Sequence, residues 1–311
     1  MSPPGPTESP PTGAPRALLL SGASGMVGAA LAERRPVLPL PRRDPGTGAP
    51  WWEPAAGRVH DGGRAIGAVV HLAGAPVAER RWTAAVKAKI LASRREGSRA
   101  LVAWLAALPP ERRPTVLVSA SAIGIYGDRG DEELTEQSSP GSGFLAETCQ
   151  TWEDEVRRAE DLGLRTVRVR IGIALSPRGG ALGRMLPIFR LGGGGPMGSG
   201  RQWFPWVHLD DLVSVLLHAV DTPSVTGAVN AVAPGIVRQA DFARALGRAM
   251  GRPTLLPTPA LALKLVMGAE LAQEALLASA RVLPTALLAD PGFRFRFPTL
   301  DDALADLLKQ R

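Results

Sequence analysis

Ala17-Leu18-Leu19-Leu20-Ser21-Gly22-Ala23-Ser24-Gly25-Met26-Val27-Gly28 is the stretch from which the fold can be read. Its apolar start suits a short buried strand, its glycines a tight turn, and the Ala-rich sequence that follows a helix. Gly22, Gly25 and Gly28 form a G-x-x-G-x-x-G pattern at this strand-to-helix junction. Glycines there permit a tight turn, close approach of a pyrophosphate to the backbone, and close packing of helix on strand. The first N–H groups of the helix then face the anion. In a chain with 35 Gly the alternative is a plain glycine turn, and the position directly after the first apolar run favours nucleotide binding.

Downstream, strands and helices alternate. Strands fit at 36–40, 68–72, 115–119 and 165–173, and helices at 83–108, where Pro109-Pro110 stops the pattern, and at 144–162. This order predicts an α/β fold, a Rossmann-type doubly wound parallel sheet, with a smaller C-terminal substrate domain. The nucleotide domain is expected over 16–180 and the substrate region over 181–311. In the latter, helices are expected at 210–220, 239–250 and 261–279, with a short strand near Val229 and a mobile, glycine-dense loop at 191–200. Residues 1–15, rich in Pro, Gly, Ser and Thr, are expected to be a disordered tail.

The formal charge of +7 comes from a chain with 36 basic residues, of which only Lys87, Lys89, Lys264 and Lys309 are Lys. The Arg are scattered, with no compact basic run interleaved with aromatics, so no nucleic-acid partner is expected. No apolar run approaches the ~20 residues of a membrane span. A single cysteine, Cys149, excludes an internal disulfide framework and a cysteine-based zinc site. A reducing, cytoplasmic location fits, no metal is expected, and the oligomeric state stays open.

Two further places bear on chemistry. Arg42 and Arg43 follow the second strand, where an acid would accept from the ribose 2′-hydroxyl of NAD and where Arg suits the 2′-phosphate of NADP. Their other reading is two solvated charges. Ser121, within Ser119 to Gly127, sits at the carboxyl end of a strand, where ligands of open α/β sheets bind, and serves there either a substrate oxygen or a local cap.

Several stretches resemble a known family: Ser21 to Gly28, His71-Leu72-Ala73-Gly74, Arg81-Trp82-Thr83, Ser93-Arg94, Ser121 to Gly127, Phe144 to Glu153, Gly192 to Gln202, Trp206 to Asp211, and Pro291 to Pro298. They are similar to the extended, epimerase-like branch of the short-chain dehydrogenases/reductases. Within it they resemble the atypical subgroup of epimerase family proteins, with its C-terminal domain of unknown function. The resemblance implies an NADP-binding oxidoreductase of a small molecule. It carries the phosphate loop onto Gly22, Ser24, Gly25, Met26 and Val27, and the 2′-phosphate contact onto Arg42 and Arg43. Leu72, Ala73 and Gly74 match the strand end beside the nucleotide, Arg94 an Arg of the long helix, and Arg170 through Ala174 the strand end at the nicotinamide half, and the resemblance implies a cofactor contact for Leu72, Ala73, Gly74, Arg94, Arg170 and Ala174.

One departure matters. The Y-x-x-x-K pair, in which Lys lowers the Tyr pKa for proton exchange, has no counterpart, because the one tyrosine, Tyr126, is followed four residues on by Gly130. The groups expected near the nicotinamide in its place are Ser121, Glu147 and His208. His208 has a second reading, with Asp210, as the cap of a strand-to-helix junction. A non-catalytic NADP sensor is the alternative to the enzyme.

Overall fold

The computed structural model describes residues 16–309, so the expected tail at 1–15 lies outside the described residues. Six parallel strands form the centre: β1 (Ala17–Ser21), β2 (Leu38–Leu40), β3 (Ile66–His71), β4 (Val116–Ala122), β5 (Arg165–Ile171) and β6 (Gly227–Ala231). Their spatial order is β6-β5-β4-β3-β1-β2, so the winding reverses at β1, the place where open α/β sheets bind ligands. β1, β3 and β4 are buried along almost their whole length, as strands covered on both faces are.

Alternation divides two cores. Leu18, Leu20, Val70, Val118, Val167 and Val169 face helices α1 (Met26–Arg34) and α5 (Leu209–Asp221). Leu19, Val69 and Leu117 face α2 (Ala84–Ala107) and α3 (Phe144–Arg157), meeting Leu101, Leu105, Trp152 and Val156. A third core lies under α4 (Gly180–Arg190), α6 (Gln239–Met250) and α8 (Leu300–Lys309), around Phe189, Phe242 and Leu304.

Three expectations need correction. The division at residue 180 cuts through the nucleotide domain, because α5 and β6 lie beyond it in sequence and complete the central sheet. The helix expected at 261–279 is broken: α7 (Ala260–Met267) ends at Gly268, whose φ of 95° stops the regular spiral. The loop at 191–200 is irregular but anchored. Gly198 N donates to Thr258 O, Thr258 N to Pro196 O, and Met197 N to Gln239 Oε1.

The segment after α7 is latched to the nucleotide domain through Glu274. Its carboxylate accepts from Phe144 N at 3.1 Å and Leu145 N at 2.8 Å, capping an α3 N-terminus whose own N-cap, Gly143, has no side chain. Glu274→Ala is expected to cost about 1 kcal/mol, as loss of an N-cap does. Urea unfolding checks this, and an unchanged midpoint would show that the latch contributes nothing.

Candidate functional site

The first glycine turn presses on the segment after β3. Gly22 has φ 79°, and a Cβ there would stand 2.8 Å from the Leu72 carbonyl carbon and 2.9 Å from Ala73 N. A Cβ on Gly28 would stand 2.2 Å from Gly22 O, so the third glycine brings α1 tightly onto the turn. Gly25 is the N-cap of α1, makes no side-chain cap bond, and no acid occupies the first turn. The helix therefore presents free N–H groups and the positive end of its dipole to the cleft. Met26 reaches across, its Cε 3.3 Å from where a Gly180 Cβ would be, and Ala174 O lies 3.4 Å from the same point. Gly22, Ser24, Gly25, Met26, Val27, Leu72, Ala73, Gly74 and Ala174 are thus gathered at one end of the sheet.

Arg42 and Arg43 follow β2 directly after Pro41, and both are exposed. Neither makes a hydrogen bond or ion pair among the described residues. The next residue, Asp44, has its Oδ1 turned to Gly46 N at 2.8 Å.

Register explains a second cluster. Ser121, Arg170 and Asn230 are lateral partners on β4, β5 and β6, so their side chains stand in one row on the α3 side. Glu153 of α3 meets this row. Its Oε1 accepts from Ser121 Oγ at 2.7 Å and Arg170 Nε at 2.9 Å, and its Oε2 from Arg170 Nη2 at 3.0 Å. Arg170 Nη1 donates to Tyr126 Oη at 2.9 Å, which donates in turn to Asn230 Oδ1 at 2.7 Å or Thr135 O at 2.9 Å. Burial alone would pull the Arg170 pKa down, but Glu153 outweighs it and holds the guanidinium above its ordinary value. Burial raises the Tyr126 pKa, with Arg170 opposing.

The surroundings of four expected site residues differ from those expected, two of them inside this network and two outside it. Ser121 Oγ is given to Glu153 and is buried, so it does not face a substrate. Arg170 gives Nε and one Nη2 N–H to Glu153 and both Nη1 N–H groups to Tyr126 and Glu136 O, so its buried side chain is held by the network. Glu147 is exposed on α3, whose buried row is Ala146, Cys149, Trp152, Glu153 and Val156. His208 is the N-cap of α5: its Nδ1 accepts from Asp210 N at 3.0 Å, Phe297 stacks on the ring at 3.9 Å, and Nε2 lies 3.4 Å from Asp306 Oδ2. The structure does not bring Ser121, Glu147 and His208 together.

His71, which the sequence showed only as part of a family stretch, is fully buried at the end of β3. Register sets it beside Ser21, and its Nδ1 shares a 2.6 Å hydrogen bond with Ser21 Oγ. Trp52 and Trp152 flank the ring edge-on, and Gly97 leaves room for it on α2. Burial, then the nearby Arg94 charge, lowers its pKa from 6.5 to about 3. The folded chain therefore keeps His71 neutral where the unfolded chain protonates it. Its contribution to stability is intact above pH 6.5 and is lost at about 1.4 kcal/mol per pH unit as pH falls toward 3. Urea midpoints at pH 7.5 and 5 check the sign, and a His71→Gln variant that kept the full slope would contradict it.

Among the described residues no cluster of His, Cys, Asp and Glu is arranged to hold a metal, and no helix is long and apolar enough to cross a membrane. A glycine cradle, an uncapped α1 and a sheet that reverses beside them define a protein of the Rossmann-type α/β class. Residues 57–232 match the NAD dependent epimerase/dehydratase family, and 258–307 match a domain of unknown function, DUF1731. An epimerase family protein of Mycobacterium bovis is 39% identical over 292 residues, 92% of this chain and 95% of its own length. The crystal structure of human epimerase family protein SDR39U1 with NADPH is 33% identical with a TM-score of 0.86, covering 95% of this chain and all of that one. A nucleoside-diphosphate sugar epimerase structure from Corynebacterium glutamicum is 34% identical with a TM-score of 0.76, covering 96% of this chain and 59% of its own. The chain belongs to the NAD dependent epimerase/dehydratase family.

Proposed function

We propose that the chain is an NADP-binding, epimerase-like oxidoreductase of a small-molecule substrate. The observation that carries this reading is the cradle at β1 and α1 with two unpartnered arginines past β2. The residues present fit the cofactor: Gly22, Ser24 and Gly25 leave the backbone open, the Met26 and Val27 amides lead the helix, and Arg42 and Arg43 suit a 2′-phosphate. Leu72, Ala73, Gly74 and Ala174 border the same cleft. When bound, NADPH supplies a hydride. The chain's own residues orient the nucleotide and exclude water around it. Tyr126 takes no part in moving a proton, since its hydroxyl is enclosed by Arg170, Asn230 and Thr135. Gly25→Val tests the placement. A Cβ at Gly25 meets Gly22 O at 3.3 Å, which the turn must relax by a few tenths of an ångström, so the variant is expected to lose NADPH binding by calorimetry while circular dichroism reports an intact fold. Undiminished binding would refute the placement.

A second reading, a non-catalytic NADP sensor, is favoured by one observation. The Ser121 and Tyr126 hydroxyls, the groups nearest in type to the family's proton-exchanging ones, are both committed inside the network. NADPH oxidation with any carbonyl substrate would decide for the enzyme. Under either reading we place the chain in the cytoplasm, with no nucleic-acid or membrane partner. The scattered arginines and the single buried thiol of Cys149 support this.

A further inference from the structure

Trp203-Phe204 pairs antiparallel with Val237-Arg238, and α6 follows at once. The loop before Trp203 closes the first two amides of α6, Gln239 N donating to Gln202 O and Ala240 N to Gly200 O, each at 2.9 Å. A cavity of about 660 Å³ opens between this loop, the first turns of α6 and the segments at 130–131 and 277–279. Its lining sets three arginines, Arg201, Arg238 and Arg244, against two acids, Asp131 and Asp241.

Both acids are already engaged. Asp131 Oδ1 accepts from Arg238 Nη1 at 2.7 Å and from Trp203 Nε1 at 3.0 Å, and Asp241 Oδ1 accepts from Arg244 Nη2. The Arg238 guanidinium also lies 3.9 Å from the centre of the Trp203 ring, which holds it in place. Its Nε/Nη2 edge has no acceptor among the described residues. Nor has Arg244 Nη1, and the exposed Arg201 guanidinium makes no hydrogen bond or ion pair there at all. One whole cation and the free donors of two others thus border a single cavity whose carboxylates are neutralised. A cavity of this size holds a small molecule, and guanidinium forks match the oxygens of a phosphate.

We infer that this cavity is a second ligand site, for a small molecule carrying a diphosphate that Arg201, Arg238 and Arg244 grip together. A lone carboxylate would answer only one of the three. The site stands apart from the proposed cofactor cleft and does not rest on it. None of its lining residues belongs to the Gly22–Gly28 turn, to Leu72–Gly74 or to the segment after β2. Arg94, whose Cζ lies 3.4 Å from where a Gly74 Cβ would stand, belongs instead with that cleft.

Calorimetric titration of the full chain with sodium pyrophosphate tests the assignment, in saturating NADPH, which keeps the probe off the glycine cradle, and at fixed ionic strength. Pyrophosphate is expected to bind more tightly than malonate, which offers two carboxylates instead. Arg201→Gln changes an exposed, unpartnered side chain, so it should leave the thermal midpoint unchanged and weaken pyrophosphate by about 10- to 100-fold. Arg64→Gln removes the same charge from an exposed arginine just before β3 and should leave the affinity unchanged. Four results would overturn the inference: no pyrophosphate binding to the unmutated chain, malonate binding as tightly, undiminished binding to Arg201→Gln, or an equal loss in Arg64→Gln. Failure of the unmutated chain to bind NADPH would bring down the cofactor reading alone, since Arg201→Gln still reports on the cavity.

Discussion

Glu153→Ala is expected to cost about 3–5 kcal/mol, because it leaves the buried Arg170 guanidinium without its carboxylate. Ser121 Oγ loses its acceptor in the same step, and the row joining β4, β5 and β6 loses its tie to α3. Against a total of about 5–15 kcal/mol for a typical domain, this shifts the urea midpoint severely. Glu147→Ala, on the exposed face of the same helix, should stay within about 0.5 kcal/mol. Equal midpoints for the two variants would show that the network does not hold the sheet together.

The second large effect concerns cofactor choice. A charge-assisted Arg–phosphate bond contributes about 1.5–3 kcal/mol, so the double change Arg42→Ala, Arg43→Ala should weaken NADPH by about tenfold or more. NADH lacks the 2′-phosphate, so its affinity should hardly move. Both side chains are exposed and unpartnered among the described residues, so the fold should be unaffected. An equal loss for both nucleotides would place these arginines elsewhere than on the 2′-phosphate.

The strands around the first glycine turn were legible because each is a short apolar run closed by glycine or a polar residue, and Ala17–Ser21 and Ile66–His71 differ little from their expected bounds. The domain boundary was not. β6, Gly-Ala-Val-Asn-Ala, was expected as a short strand near Val229, but so short and mild a run does not say which sheet it joins, and nearly fifty residues separate it from the expected boundary. Within the site, the glycine cradle could be read because its physics is local to one turn. Glu153, Arg170 and Asn230 could not, since the carboxylate sits in a charged helix that reads as solvated and its partners come from register between separate strands. Ser121 was found by its place at a strand end, but the carboxylate it faces is 32 residues away in sequence. His208 was open to two readings, and its hydrogen bond to Asp210 N gives the cap.

The proposed function requires a 2′-phosphorylated nucleotide in the Gly22–Gly28 cradle. Titration of the unmutated chain with NADPH and, separately, with NADH, followed by calorimetry at one ionic strength, tests this most directly. NADPH is expected to bind about tenfold or more tightly than NADH, with the difference vanishing in the Arg42→Ala, Arg43→Ala chain. Equal affinities in the unmutated chain, or no binding of either nucleotide, would contradict it.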